Sequence, residues 1–394
     1  MKNIIFNFQV HQPMRLNDYH FFEIGNHKNY FNKKQNAAIL KRVVEKSYLP
    51  ANRILLELIK KYNDRIKVSF SISGTAIDQF ELYAPEIIES FQELTATGNV
   101  ELLGQPYYQS LASLKSQSAF RSEVEAHSKK IWELFGQRPK IFANTGLIYS
   151  DHLGKMIANM GFQAALIEGI PTLPNGGNGH VLYQNPLKKQ FKLLLREAAL
   201  SDDISLRFSQ TNWDRWPLTA PKYLSWLKQL PATDNLVCLS MDYATFGEHH
   251  KMNTGIFDFF KYLFQSIGKE KKLQLGAPSK VVADLLPHGP LSVPEPISLY
   301  GEAKDLSVWL GNEMQREAMD LIYELGDLVE EQNNQELLKH WKYLQSSDHF
   351  HYMNTLSEDG SNDLSPFDGP YEAFLRYMNV MSDLKLRLIE EHQG

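Results

Sequence analysis

Leu236 to His250 reads LVCLSMDYATFGEHH. Leu236-Val237-Cys238-Leu239 is apolar throughout, and the run continues through Ser240 and Met241 to Asp242-Tyr243. A short, continuous apolar run of this kind predicts a strand buried on both faces, as in parallel sheets covered by helices. At its C-terminal end the chemistry turns to acid, ring and histidine. In parallel α/β folds that end is where ligands and catalytic groups gather. Asp242 therefore has two readings: a catalytic carboxylate, or the cap of a following helical turn.

Working outward, six more strand-like runs precede it: Ile4 to Phe8, Ile66 to Ile72, Val100 to Leu103, Lys140 to Ala143, Ala164 to Ile167 and Phe191 to Leu195. Helical patterns fill most of the gaps. Asn36 to Tyr62 repeats Ile39, Val43, Val44, Ile54, Leu55, Leu58 and Ile59 at three- and four-residue spacing, and Glu86 to Leu94 and Phe120 to Phe135 do likewise. Strands alternating with helices imply parallel pairing through right-handed crossovers. The expected class is α/β, and seven units point to a closed or nearly closed barrel. After Leu275 the pattern is helical only: Glu302 to Leu325, Glu336 to Leu344 and Tyr371 to Ile389. The expected division is residues 1–275, carrying the site at the strand C-terminal ends, and 276–394, a helical domain packing against the rim. Pro287 to Pro296 is Pro-rich, which fits a boundary. Gly169 to Gly179, GIPTLPNGGNG, is a loop that either gates a site or simply covers the surface.

The net charge of -5 argues against a general nucleic-acid binder, which needs a basic face. No segment approaches the apolar length of a membrane span. Cys238 is the single cysteine, so no disulfide can form within the chain. The N-terminal stretch MKNIIFNFQVHQP does not read as a secretory signal. Both fit a cytoplasmic protein. Lys269 to Lys272 (KEKK) reads as solvated surface.

Polar and aromatic residues sit just after five of the runs: His11-Gln12-Pro13, Gln105-Pro106-Tyr107-Tyr108-Gln109, Asn144-Thr145-Gly146, Glu168 and Asp242-Tyr243. If the strands are parallel, these groups meet on one rim. His11, His249 and His250, with Asp242 or Asp151-His152, match no standard zinc spacing, so no metal and no cofactor is expected. Trp213-Asp214-Arg215-Trp216 offers two rings that either face a ligand or seat the next helix through Trp226. Trp309 either reaches the rim or staples the C-terminal helices to the rest.

These motifs resemble glycoside hydrolase family 57, in its compact α-amylase-like branch. His11-Gln12-Pro13 is similar to the family's opening motif. Tyr107-Tyr108 lies in a stretch like its second, Asn144-Thr145-Gly146-Leu147-Ile148-Tyr149 is like its third, and Met241 to His249 (MDYATFGEH) is like its fourth. Asp305 to Asn312 (DLSVWLGN) resembles the tail of its fifth. Ser201 to Ser209 (SDDISLRFS) and Ser347 to Met353 (SDHFHYM) add to the match. The resemblance implies a (β/α)7 barrel, incomplete relative to the eight-stranded form, followed by a helical domain. It also implies a retaining mechanism on α-glucans, with maltooligosaccharides as ligands.

That mechanism needs two carboxylates roughly 5 Å apart. The resemblance makes Asp242 the acid/base. It places Gly146 where the family carries its nucleophilic Glu, and glycine cannot form the glycosyl-enzyme bond. Further departures follow. Gln105 and Gln109 stand where the family has an acid and a histidine, Ala143 where it has arginine, and Ala244 where a glutamate follows the acid. Ser298-Leu299-Tyr300-Gly301 replaces the usual S-W-A-D. Losses scattered around one rim read as decay of a disused site. The expected protein binds α-glucan through His11, Gln12, Gln105, Tyr107, Tyr108, Gln109, Glu168, Trp213, Trp216, Tyr243, Glu248, His249 and Trp309, without turnover. The alternative is an active retaining or inverting enzyme with a substitute carboxylate, Glu168 above all; Asp151 and Glu248 are closer in sequence to the motifs. An inverting route would need a base about 6.5 to 9.5 Å from Asp242.

Overall fold

The chain is described by a computed structural model covering residues 1–169, 178–332, 334–356 and 365–393, with side chains to residue 390. Residues 170–177 of the Gly- and Pro-rich loop lie outside the described residues.

All seven apolar runs form strands, and two three-residue strands join them. They are β1 (Lys2–Val10), β2 (Val68–Ile72), β3 (Val100–Leu102), β4 (Ile141–Ala143), β5 (Ala164–Ile167), β6 (Tyr183–Asn185), β7 (Lys188–Leu195), β8 (Leu236–Asp242) and β9 (Leu273–Leu275). One sheet runs β3-β2-β1-β8, with β9 beside the start of β1, and all its pairings are parallel. The other runs β4-β5-β7-β6, and only β6 is antiparallel. Two single parallel bridges connect the sheets, Gly104 to Phe142 and Arg196 to Cys238. Followed through those bridges, the pairing passes from β1 through β2, β3, β4, β5, β7 and β8 and returns to β1. The C-terminal ends of these strands therefore share one side.

Side-chain alternation along the strands explains the three apolar cores. Ile4, Phe6 and Phe8 of β1 and Val237, Leu239 and Met241 of β8 pack with helices such as Leu49–Tyr62 and Ile256–Lys269. Phe142, Ala165, Ile167 and Leu193 join a second cluster. The residues between them (Ile5, Ile141, Ala143, Ala164, Leu166, Leu194, Leu236 and Cys238) form a third, smaller cluster enclosed by the ring. Polar residues share that inward parity: Asn7 donates to Ser240 Oγ at 3.2 Å and accepts from Ser69 at 3.2 Å.

This parity corrects the reading of Tyr243 as a rim residue. Asp242 continues the inward series of Leu236, Cys238 and Ser240; Tyr243 continues the outward one. Its side chain is 0% exposed among Phe8, Phe70 and Tyr48, and its hydroxyl donates to Asn52 Oδ1 at 2.8 Å. Tyr243→Phe removes that bond and is expected to cost about 1 kcal/mol, read from the urea midpoint. An unchanged midpoint would deny the hydroxyl its structural role.

After β9 the C-terminal helices include Ser307–Leu310, Glu313–Glu324, Gln335–Leu344, Ser347–Tyr352 and Pro370–Gln393. The helix expected over Glu302 to Leu325 starts later and is broken at Gly311-Asn312. Asn312 caps the second piece, accepting from the Gln315 N–H, while Gln315 reaches back to the Asn312 N–H. These helices share the second core with Leu16, Tyr19 and Tyr30, so one apolar cluster spans both ends of the chain. The Pro-rich segment is strapped down: Leu291 N–H donates to Gln184 and Val293 N–H to Asp151 Oδ1, both at 3.0 Å. That uses Asp151 structurally. No helix among the described residues is long and apolar enough to cross a membrane.

Candidate functional site

Asp242 is seen as the cap of the turn that follows it. Its carboxylate accepts from the Ala244 N–H at 2.9 Å and so caps the turn Tyr243–Thr245. It is nevertheless 45% exposed, with His249 Nε2 3.9 Å from Oδ2. A capping carboxylate that stays this open is free to meet a ligand.

His11 follows the end of β1. Its Nδ1 lies 2.8 Å from Ser73 Oγ, and its Nε2 is 2.8 Å from Asp348 Oδ2. Ser73 also caps the helix Gly74–Tyr83 by accepting from the Ala76 N–H. Asp348 belongs to the SDHFHYM stretch and accepts a further bond from Ser346 Oγ at 2.7 Å. Burial pushes its carboxyl up, but His11 and Ser346 outweigh that and hold it well below the usual carboxylate range. Burial and the charges of Asp242 and Asp348 push the Tyr300 hydroxyl up, with Arg196 opposing.

The turn Thr145–Leu147 brings Gly146 to the end of β4 with φ +52°, in the left-handed region that favours glycine. A Cβ built on Gly146 would lie 2.3 Å from Trp309 Cη2, 2.8 Å from Trp309 Cζ2 and 3.3 Å from Tyr300 Cδ2. Trp309 is buried in the second core, and its ring meets Tyr300 edge-on at 5.4 Å. The space into which a side chain at 146 would project is thus filled by an indole.

Glu168 has the inward parity of β5, but it is 0% exposed. Arg196 Nη1 reaches both its oxygens at 3.3 Å, and Lys304 Nζ is 3.8 Å away. Burial pushes its carboxyl up to about 7 against the pull of those two cations. Arg196 also donates to Ser240 O at 2.8 Å and pairs with Asp202.

The second-motif residues fold inward on themselves. Gln109 donates to Gln105 Oε1 at 2.8 Å; both are buried, and Gln105 Nε2 has no partner. Tyr107 and Tyr343 donate to the two oxygens of Asp78, at 2.6 and 2.7 Å. Tyr108 packs on Tyr107 and Tyr343, and its N–H donates to Glu123. Gln12 accepts from Arg15 and is buried. Glu248 pairs with Arg42 at 2.6 Å. His250 is enclosed, bonded to Ser209 Oγ and Ser205 O, and burial lowers its pKa. Trp213 packs on the first core and meets Trp226 edge-on, whereas Trp216 is exposed. Among the described residues no cluster of three His, Cys, Asp or Glu side chains is arranged to hold a metal.

The structure therefore groups Asp242, His249, His11, Asp348, Tyr300, Trp309 and Gly146. Arg196 and Lys304 were not singled out in the sequence, and Tyr300 and Asp348 appeared there only within motif stretches, without a role. The SDHFHYM stretch carried a signal for Asp348, but its partner His11 is 337 residues away.

A family model described as Glycosyl hydrolase family 57 matches residues 5–294. A Methanocaldococcus jannaschii protein provisionally named an alpha-amylase is 38% identical over 406 residues, covering 98% of this chain and 85% of its own length. Among solved structures, a GH57 branching enzyme from Thermococcus kodakaraensis superposes with a TM-score of 0.72 at 11% identity, covering 99% of this chain and 91% of that one. The alpha-amylase AmyC from Thermotoga maritima gives 0.66 at 12%, with 100% and 96% covered. A 4-alpha-glucanotransferase from Thermococcus litoralis gives 0.65 at 16%; 89% of this chain is covered but only 56% of the transferase. At these identities the structural likeness concerns the fold.

Proposed function

The chain belongs to glycosyl hydrolase family 57, whose members act on α-glucans, and from that premise we propose that it binds α-glucan without turning it over. The ring of seven parallel strands is read as the (β/α)7 barrel of residues 1–275, and residues 276–394 as a helical domain on its rim. Asp242 keeps the acid/base position. Gly146 occupies the nucleophile position. Tyr300 and His249 supply contacts to sugar hydroxyls and ring faces beside Asp242, and His11, both of whose ring nitrogens are engaged by Ser73 and Asp348, lends only its ring edge. The lone buried Cys238 suits a reducing, cytoplasmic setting.

One observation carries this reading: the indole of Trp309 stands where a side chain at Gly146 would begin. A retaining mechanism needs a second carboxylate roughly 5 Å from the acid, and a side chain at the nucleophile position would meet a ring. The alternative route through Glu168 is opposed by its enclosure and by Arg196 and Lys304, which leave neither oxygen open to an anomeric carbon.

Titration with maltoheptaose is expected to show saturable binding, and prolonged incubation with maltoheptaose or glycogen no new reducing ends. Asp242→Asn leaves that blank unchanged, and azide or formate does not promote cleavage of an activated α-glucoside. Turnover that disappears in Asp242→Asn would overturn the proposal.

A further inference from the structure

A groove of about 590 Å³ lies at the opposite end of the strands from Asp242. It runs along the helix Gln117–Phe135 beside the C-terminal end of the helix Asp151–Asn159, just ahead of β4 and β5. Arg121, Glu125, Ser128, Trp132, Arg138 and Asn159 line it. Its local architecture follows from Gly136. With φ +67° this glycine ends the first helix, donating to Trp132 O at 2.9 Å, and turns the chain back. The return brings the Arg138 guanidinium to 4.9 Å from the Trp132 ring centre, which holds an indole that is 49% exposed.

We infer that this groove is a second α-glucan site, in which a glucosyl ring stacks on Trp132 and its hydroxyls bond to the Arg121, Ser128, Arg138 and Asn159 side chains. A large exposed indole beside convergent polar groups fits a ligand with one apolar face and a hydroxyl fringe. Donors are available. Among the described residues neither Arg121 nor Arg138 is ion-paired. Asn159 accepts from Lys188 through Oδ1, which leaves its amide N–H groups for a ligand. The lining keeps one positive charge, since Arg121 and Arg138 stand against Glu125 and Lys129 is paired with Glu133; the choice of a neutral ligand therefore rests on the exposed indole face rather than on charge. The inference rests on the reading of the protein as an α-glucan binder and adds a site that the rim does not supply.

Fluorotryptophan labelling separates the two. The chain has six tryptophans. Trp132→Phe assigns the groove resonance, and Trp309, directly beneath Tyr300, reports on the rim. Maltoheptaose is expected to shift both resonances saturably. Arg138→Ala should weaken the Trp132 titration at least threefold and leave that of Trp309 unchanged. Inorganic phosphate should leave Trp132 unmoved. A shift confined to Trp309 overturns the second site and leaves the proposed function standing. A shift confined to Trp132 supports the groove and overturns the rim reading. Shifts at neither overturn both, and a Trp132 response to phosphate overturns the choice of a neutral ligand.

Discussion

Gly146→Glu is expected to yield a protein that still fails to hydrolyse maltoheptaose and is less stable by about 2–4 kcal/mol. Two effects add. Inserting a side chain into a filled space costs about 1–3 kcal/mol, and the Cβ would start 2.3 Å from Trp309 Cη2. A residue other than glycine at φ +52° costs about 1 kcal/mol more. Trp309→Ala alone leaves a cavity in the second core and is expected to cost about 3–5 kcal/mol. The two changes are complementary, since the space opened by one receives the other. The double variant should therefore lose less than the sum of the two, by at least about 1 kcal/mol. Denaturant midpoints of the four proteins measure this coupling. Strict additivity would show that the indole is not what excludes a side chain at 146. Hydrolysis by Gly146→Glu alone would show that the site needs only its missing carboxylate.

Arg196→Met is expected to lower stability by about 3–5 kcal/mol at pH 8, because it removes the main cation paired with the buried Glu168 carboxyl. Arg196 joins Glu168 after β5 to Ser240 of β8 and to Asp202, close to the bridge that links the two sheets. The pH dependence has a definite sign. The Glu168 carboxyl is pushed up to about 7 in the folded protein, against about 4.3 in an unfolded chain. The folded state thus favours the protonated form. This group's contribution is fully present below about pH 4 and is lost as pH rises through 7. Glu168→Gln should flatten the stability profile between pH 5 and 8 relative to the parent protein. Arg196→Met should steepen it, because loss of the cation pushes the carboxyl higher. Urea midpoints across that range decide the matter; parallel profiles for the parent protein and Glu168→Gln would show that Glu168 does not titrate there.

The seven strands of the ring could be read from their apolar runs, the three-residue β3 and β4 included. β6 and β9 could not: YQN and LQL offer no apolar run, and each forms by pairing along a neighbouring strand. The break at Gly311-Asn312 was available in principle, since Asn followed three residues later by Gln is a capping pattern. The placement of Tyr243 was also within reach. The alternation that sends Leu236, Cys238 and Asp242 inward sends Tyr243 outward. The resemblance assigned Asp242 and Gly146 to one site, but it said nothing about what occupies the space beside Gly146.

By itself the sequence determined the α/β class, the order of strands and helices, and the end of the strands at which polar chemistry collects. Those follow from local patterns of burial, which repeat every two residues in a strand and every three or four in a helix. Only the tertiary structure decided which polar groups stay open. Asp242 is free while Glu168 is sealed by Arg196 and Lys304. His11 meets Asp348 from the far end of the chain. Trp309 closes the space at Gly146. Each of these depends on side chains remote in sequence competing for the same small volume, and excluded volume and desolvation are settled only where the chain has folded.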